Sequence, residues 1–537
     1  MRGADGRPAG QQAAGGYGHA AEVAAAAALE TIVAEHGPDS EAIIRTIAAP
    51  QIAPAGRRGT APRYLQAAGL ADYQREIYRR FSDVINIPAV DYISKTPRSW
   101  LIVGDHRAEV AARVEKIIER HGLGVGMLVL HAQQMHSRHI LLELEIDGVV
   151  HDLARPTARL AGRRGENILY VPIRKYRGDR QRLAELNITK PPELWNQAAL
   201  VTHEQVSNAC NYCSAAEINP CEVVVRIEGA RFGLSRNYEL GFTYAPFGNP
   251  LSSVHFLAWH LAAGGPHGRP LNMNRTPITF SDLVEMTRRI NTSIAEFFAG
   301  TGVSDLPVID GVSNGWAGNT IYHQHFQFFR PEYPCPITDE ARLQAGAPRT
   351  AGRRKAAPQI VLESDDIRIA RLPWETPVYK ISADESINIG LVGNDMAGAW
   401  RLLGGSATIP YRTFPEDYEP KEGELVPVHT QNLYVPGREL GRVAYILLRD
   451  KRCVDYRPGP DETINRDAGR RAQTKTNIAV LEATGTVIVD DNASFEEMRK
   501  WAPEEITEQV SRMTAAIHPD EKQVRRFERS IRGMFPE

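Results

Sequence analysis

The chain is poor in cysteine, with five in 537 residues. That scarcity excludes a disulfide-stapled scaffold and fits a reducing compartment, where a close cysteine pair more often means metal or chemistry. It also lacks an excess of either charge: 63 Lys+Arg against 65 Asp+Glu leave a formal −2. Nothing in that balance calls for nucleic acid or an anionic membrane as a partner. Long uncharged apolar runs of the ~18 residues needed to cross a bilayer are missing. The apolar stretch from Ala20 to Leu29 is broken by Glu22 and closed by Glu30, and it has no basic-then-apolar order of a leader. A soluble cytoplasmic protein is expected. What remains is ordinary: 24% charged and 42% hydrophobic residues, a globular composition long enough for two to four domains.

The expected fold class is α+β. Residues 1–60, rich in Ala, Gly, Arg and Pro, read as disordered or linker, with a helix from Ala20 to about Glu35. Residues 61–190 read as an N-terminal α/β domain of no assigned role. It carries an amphipathic helix Val110–His121 stopped by Gly122, a strand-like run VGMLVLHA, and a hairpin HILLELEIDGVVHDL turning at Asp147-Gly148. In residues 191–340 the pattern predicts a helix over Glu193–Gln205, strands in CEVVVRI, FGLSRNYELGFTYAPF and SSVHFLAWH, and a long helix capped by Ser281. Leu283, Met286, Ile290, Ile294 and Phe297 form that helix's buried stripe. Residues 341–358 read as a basic linker, and 359–537 resume strands before a final amphipathic helix ending near Phe535.

The segment His323-Gln324-His325-Phe326-Gln327-Phe328 is the sharpest feature. Side chains alternate faces along a strand, so His323, His325 and Gln327 share one face, expected to be exposed, and Phe326 and Phe328 share the core face. Two imidazoles and an amide in a row are hard to explain by packing. Upstream, Ser313-Asn314-Gly315-Trp316-Ala317-Gly318-Asn319 is a Gly/Asn-rich turn that can aim backbone N–H groups at an anion. A solvent-facing strand with incidental histidines is the plain alternative.

Thr320, Ile321, His323, His325, Phe326, Gln327, Phe328 and Phe329 resemble the signature strand of the histidine-triad superfamily, in its His-x-His-x-Gln branch. That branch holds galactose-1-phosphate uridylyltransferase, diadenosine tetraphosphate phosphorylase and the GDP-hexose phosphorylases. The run looks most like GDP-L-galactose/GDP-D-glucose phosphorylase. NPLSSVHFLAWH, PWETPVYKIS, HTQNLYV, RVAYILLRDKR and IAVLEATGTVIVDD extend the likeness over roughly residues 195–500. The resemblance implies an antiparallel histidine-triad-like sheet with helices in two related halves: a catalytic half over 191–340 and a degenerate second half over 359–537. It implies His325 as nucleophile, His323 and Gln327 as its catalytic neighbours, and Asn314, Ser313, Gly318, Asn319 and Lys380 as holders of substrate or phosphate. The implied reaction is phosphorolysis of an NDP-hexose, with GDP-hexose favoured, through a covalent nucleotidyl-histidine. A neutral imidazole suits this because it is nucleophilic near pH 7 and its phosphoramidate is labile. Transfer between hexose-1-phosphates and a non-catalytic nucleotide sensor are the alternatives.

Cys210-x-x-Cys213, followed by His260 and His323, has the donor types of tetrahedral Zn2+. Uridylyltransferases of the resembled family can carry a structural zinc on such a set. His255 is an alternative to His260, and Cys221 to either cysteine; two cysteines buried as small hydrophobes are the plain reading. No organic cofactor is implied. Nucleotide sugar and phosphate are the expected partners, without nucleic acid or membrane, and a homodimer is a candidate assembly. His429 is a candidate pocket residue.

Overall fold

The computed structural model describes residues 71–96, 99–136, 143–146, 149–152, 158–170, 198–202, 223–232, 239–244, 254–260, 280–314, 325–331, 333–346, 357–410, 419, 425–450, 452, 478–489 and 492–535. The expectations for residues 1–60 lie outside them.

Ten strands make one antiparallel sheet. In chain order they are β1 (Val225–Glu228), β2 (Glu239–Tyr244), β3 (His255–His260), β4 (Asp310–Ser313), β5 (His325–Phe329), β6 (Gln359–Glu363), β7 (Ile367–Arg371), β8 (Val378–Ala383), β9 (His429–Val435) and β10 (Val443–Asp450). Across the sheet they run β6-β7-β8-β10-β9-β4-β5-β3-β2-β1. The order divides at the centre. Each set of five places its fifth strand between its third and fourth, and each inserts one long helix between its third and fourth along the chain. The two sets join where β4 pairs with β9, Val312 opposite Tyr434. The protein is therefore α+β with a large antiparallel sheet in two topologically matched halves.

The inserted helices are Phe280–Phe298 in the first half and Ile389–Leu403 in the second. They complete a series of five: α1 (Asp72–Ile85), α2 (Arg107–His121), α3 (Leu123–His136), α4 (Phe280–Phe298) and α5 (Ile389–Leu403). Leu283, Met286, Ile290 and Ile294 of α4 are buried as the stripe requires. The helix starts at Phe280, one residue before the expected cap. Its first N–H is satisfied by Asn394 Oδ1 of α5 at 2.7 Å. One hydrophobic core joins α1–α5 to the sheet face bearing Phe256, Phe326, Phe328, Leu433 and Ile446. The opposite face, with Val312, Phe329, Tyr434, Tyr445 and Leu447, is covered by residues from 478 to 517, by Cys335 and Ile337, and by Ile168–Tyr170.

Three expectations need correction. The run VGMLVLHA is not a strand but lies in α3. An unbroken apolar run fits a buried helix as well as a buried strand, and period cannot separate them. The glycines decide: a Cβ at Gly124 would sit 2.2 Å from the Ile290 carbonyl oxygen, and one at Gly126 2.1 Å from Ile118 Cγ1. Bare glycine lets α3 press against α4 and α2. Within the helix expected over 193–205, Ala198–Thr202 is instead a strand paired with Ser99–Asp105; pairing overrides a weak helical preference. The segment read as linker opens with a helix, Glu340–Gly346. The hairpin at 143–152 forms as expected, with Ile146 opposite Val149. No helix among the described residues is long and apolar enough to cross a membrane.

Candidate active site

The site begins on β5. His325 pairs with Trp259 of β3, and Gln327 with Leu257 on one side and Val312 of β4 on the other. His325, Gln327 and Phe329 therefore share one face, while Phe326 and Phe328, both fully buried, share the other. The alternation is as expected, but the exposure is not: His325 is only 6% exposed. The layer packed on this face draws on chain far from β5, including residues 168–170 and 478–517, which strand periodicity cannot show. Gln327 Nε2 lies 3.5 Å from His325 Nε2. An amide NH2 can only donate, so in this contact the imidazole nitrogen is the acceptor.

Beside this strand, β4 is placed by α4. Asn291 of α4 donates to the Ile309 carbonyl at 2.8 Å and accepts from the Ile309 N–H at 2.8 Å. Gly311 permits the contact, since a Cβ there would lie 2.2 Å from Thr287 Oγ1. The register that sets Val312 opposite Gln327 carries Asn314 toward His325. Asn314 is 5% exposed and its Oδ1 accepts from the Val480 N–H at 2.7 Å. Its own carbonyl accepts from Asn432 Nδ2 of β9 at 2.7 Å. Asn432 Oδ1 in turn accepts from Arg449 of β10 at 2.8 Å, and the same guanidinium nitrogen donates to the Ile478 carbonyl at 2.9 Å. Asn432 and Arg449 are fully buried. A polar network from the second half thus backs the face on which His325 stands. Asn432 lies in the quoted run HTQNLYV, and Arg449 interrupts the apolar run of RVAYILLRDKR; those were the signals available in sequence.

At the seam between the halves, Asp310 is enclosed. Its carboxylate accepts from the Tyr434 hydroxyl and from the Gly437 N–H at 2.8 Å. Burial outweighs both bonds and pushes its pKa up to about 6. Cys335, buried nearby, has its thiol pushed up to about 12 by the same desolvation, which leaves it protonated and inert.

Other expected residues go elsewhere. Ser313 falls on the α4 side of the sheet, one residue out of phase with Val312. Lys380 shares the His325 face but lies on β8, four strand spacings from β5, or about 19 Å at ~4.8 Å per step. Its ammonium pairs with Glu340 at 2.6 Å. His429 sits on the α5 side, stacked on Trp400 with ring centroids 4.1 Å apart, its Nε2 3.2 Å from Gln523 Oε1. It is a packing residue, not part of this face. His323, Gly318, Asn319, Cys210 and Cys213 lie outside the described residues, as does the side chain of His260, which ends β3. Among the described residues, no group of three or more His, Cys, Asp or Glu is arranged to hold a metal ion.

The described fold and site define an α+β protein with a buried, lone-pair-presenting imidazole beside the join of a two-part antiparallel sheet. The solved structures it is similar to include yeast Ap4A phosphorylase Apa2 in complex with AMP. The identity is 13%, over 67% of this chain and 87% of that one, with a TM-score of 0.31. They also include the same yeast enzyme in complex with Ap4A, at 12% identity over 67% and 88%, with a TM-score of 0.31. No protein-family model and no curated protein matches the chain in sequence.

Proposed function

We propose that the chain is a nucleotidyltransferase working through a covalent nucleotidyl-His325, and that it phosphorolyses an NDP-hexose, with GDP-hexose favoured. The observation that carries this reading is the buried His325 with the Gln327 amide 3.5 Å from its Nε2, on the strand face backed by Asn314. In the first step Nε2 attacks the α-phosphorus. The Nε2–P bond forms, the P–O bond to the β-phosphate breaks, and hexose-1-phosphate leaves with the electron pair. In the second step an oxygen of inorganic phosphate attacks the same phosphorus, the N–P bond breaks, and NDP leaves. Gln327, already aimed at the reacting nitrogen, donates to a phosphoryl oxygen when one arrives, without adding a group that titrates. Asn314 lends a second amide donor.

The residues of the Gly/Asn-rich turn, including Gly318 and Asn319, supply further N–H groups in this reading, and His323 steadies the nucleophile. Structural zinc on Cys210, Cys213, His260 and His323 belongs to the same proposal. Lys380 does not, because Glu340 holds it four strands away.

The test is intact-protein mass spectrometry after brief incubation with GDP-glucose, UDP-glucose or diadenosine tetraphosphate, each without phosphate. A gain of one nucleoside monophosphate, absent in His325→Asn, is expected, and its mass names the base. The same gain in His325→Asn, or none with any donor, overturns the reading.

A further inference from the structure

Asn314, Asn432, Arg449 and the backbone of 478–480 close into a ring. Around it run Asn314 Oδ1 to Val480 N at 2.7 Å, Asn314 O to Asn432 Nδ2 at 2.7 Å, Asn432 Oδ1 to Arg449 at 2.8 Å, and Arg449 to Ile478 O at 2.9 Å. The side chains of the ring are all nine-tenths or more buried. These four bonds hold one arrangement of the two amides, because turning either one over leaves an unpaired polar atom in a low-dielectric interior.

The consequence falls on Asn314. An amide can be placed either way round, but Val480 N–H requires an acceptor, so Oδ1 must face it. Asn314 Nδ2 is then turned the other way and makes no hydrogen bond among the described residues. The Asn432 contact holds the Asn314 carbonyl and so the backbone at the end of β4.

We propose that Asn432 and Arg449 of the second half, with the Val480 N–H, are positioning residues that fix the orientation of the Asn314 amide. Its Nδ2 is thereby presented beside His325 as a donor to the reacting phosphoryl group. This rests on the proposed nucleotidyl transfer at His325. It gives the second half a part in the chemistry without a nucleophile of its own, and it explains why a strand otherwise filled by Ile446, Leu447 and Leu448 carries a buried arginine.

Two substitutions cut the ring at different points with little change of volume. Asn432→Asp keeps the acceptor for Arg449 and replaces the N–H donated to Asn314 with a carboxylate oxygen that repels the Asn314 carbonyl. Val480→Pro replaces the N–H that faces Asn314 Oδ1 with the ring Cδ, which both removes the bond and pushes the amide out of its place. Val480 is the first residue of its helix and Ala479 before it is extended (φ −77°, ψ 175°), so the backbone there accepts proline. Each is assayed for kcat and KM with whichever of the three donors loads His325, alongside Asn314→Asp, the double variant Asn314→Asp/Asn432→Asp, and thermal melting.

A positioning role predicts a fall in kcat of about ten- to hundredfold with KM changed less than about threefold. It also predicts that the double variant is no slower than Asn314→Asp alone. A purely structural ring would lower the melting temperature and leave kcat per folded molecule unchanged. Wild-type kcat in either folded single variant, or losses that multiply in the double, overturns the proposal. Full activity in His325→Asn, or no donor loading His325, overturns the underlying reading and this one with it.

Discussion

Strands β5 and β10 hold the same place in their respective halves, fifth along the chain and fourth across the sheet. Their contents differ. On the face away from the helices β5 carries His325 and Gln327, whereas β10 carries Tyr445, Leu447 and Arg449. A common backbone scaffold thus carries an imidazole and an amide on one side of the seam and a packing strand on the other. The second half is not inert to the site, because Arg449 and Asn432 reach across β9 to Asn314. The comparison teaches that one backbone plan can present polar groups in one copy and a packed, arginine-anchored face in the other.

Replacing the two matched strands' residues breaks the symmetry most sharply. His325→Asn should reduce turnover by about ten-thousandfold or more, the scale of losing a nucleophile. His325 is buried, so asparagine rather than alanine limits the cavity. Leu447→Ala, on the other strand, should cost about 2–5 kcal/mol of stability while leaving turnover per folded molecule unchanged. Denaturant melts paired with active-site titration read both.

A smaller effect is expected at Gln327→His. A histidine there adds a titrating group beside the phosphoryl acceptor position, and the hydrolytic share of turnover should rise at the expense of transfer. Product analysis with and without phosphate measures it; an unchanged share would place Gln327 away from the attacking group.

The seam itself gives a pH signature. Asp310 titrates near 6 in the fold against the usual 3.8, so the folded state binds the extra proton between those values. Its stabilising contribution is complete below about 3.8, is lost as pH rises toward 6, and changes little above. Asp310→Asn keeps the acceptor for the Gly437 N–H, turns an N–H donor toward the Tyr434 oxygen, and should flatten stability across that window in urea melts at stepped pH. An unchanged slope would mean that another group carries it.

Smallest in kinetic effect is the zinc set. Metal analysis of the dialysed protein should find one zinc per chain, lost in Cys213→Ser together with thermal stability. Metal-free wild type would favour the cysteines as small buried hydrophobes.

Much of this was legible in the sequence. The stripe of α4, the strands of the large sheet other than β4 and the alternation on β5 rest on local period, and local period survives folding. So does the pairing of His325 with Gln327 on one face. β4 was not legible, because its end reads as the Gly/Asn-rich turn. The burial of His325 was not legible, because the layer packed on its face of the sheet draws on segments, 168–170 and 478–517 among them, that no local pattern ties to β5. Asn432 and Arg449 were missed for the same reason: each matters through a bond to a residue far away in the chain. α3 was misread because the six consecutive apolar residues Val125–Leu130 fit either period, and only the close approach at Gly124 and Gly126 settles the choice.

The most direct test of the account is a rapid-quench experiment in the absence of phosphate, with the donor that loads the protein in slight excess over active sites. The account predicts a burst of hexose-1-phosphate (or the corresponding leaving nucleotide) close to one per chain, followed by near-arrest, with phosphate restoring turnover. The burst should vanish in His325→Asn. Steady release without a burst, or turnover that requires both substrates before any product leaves, would contradict a covalent nucleotidyl-histidine.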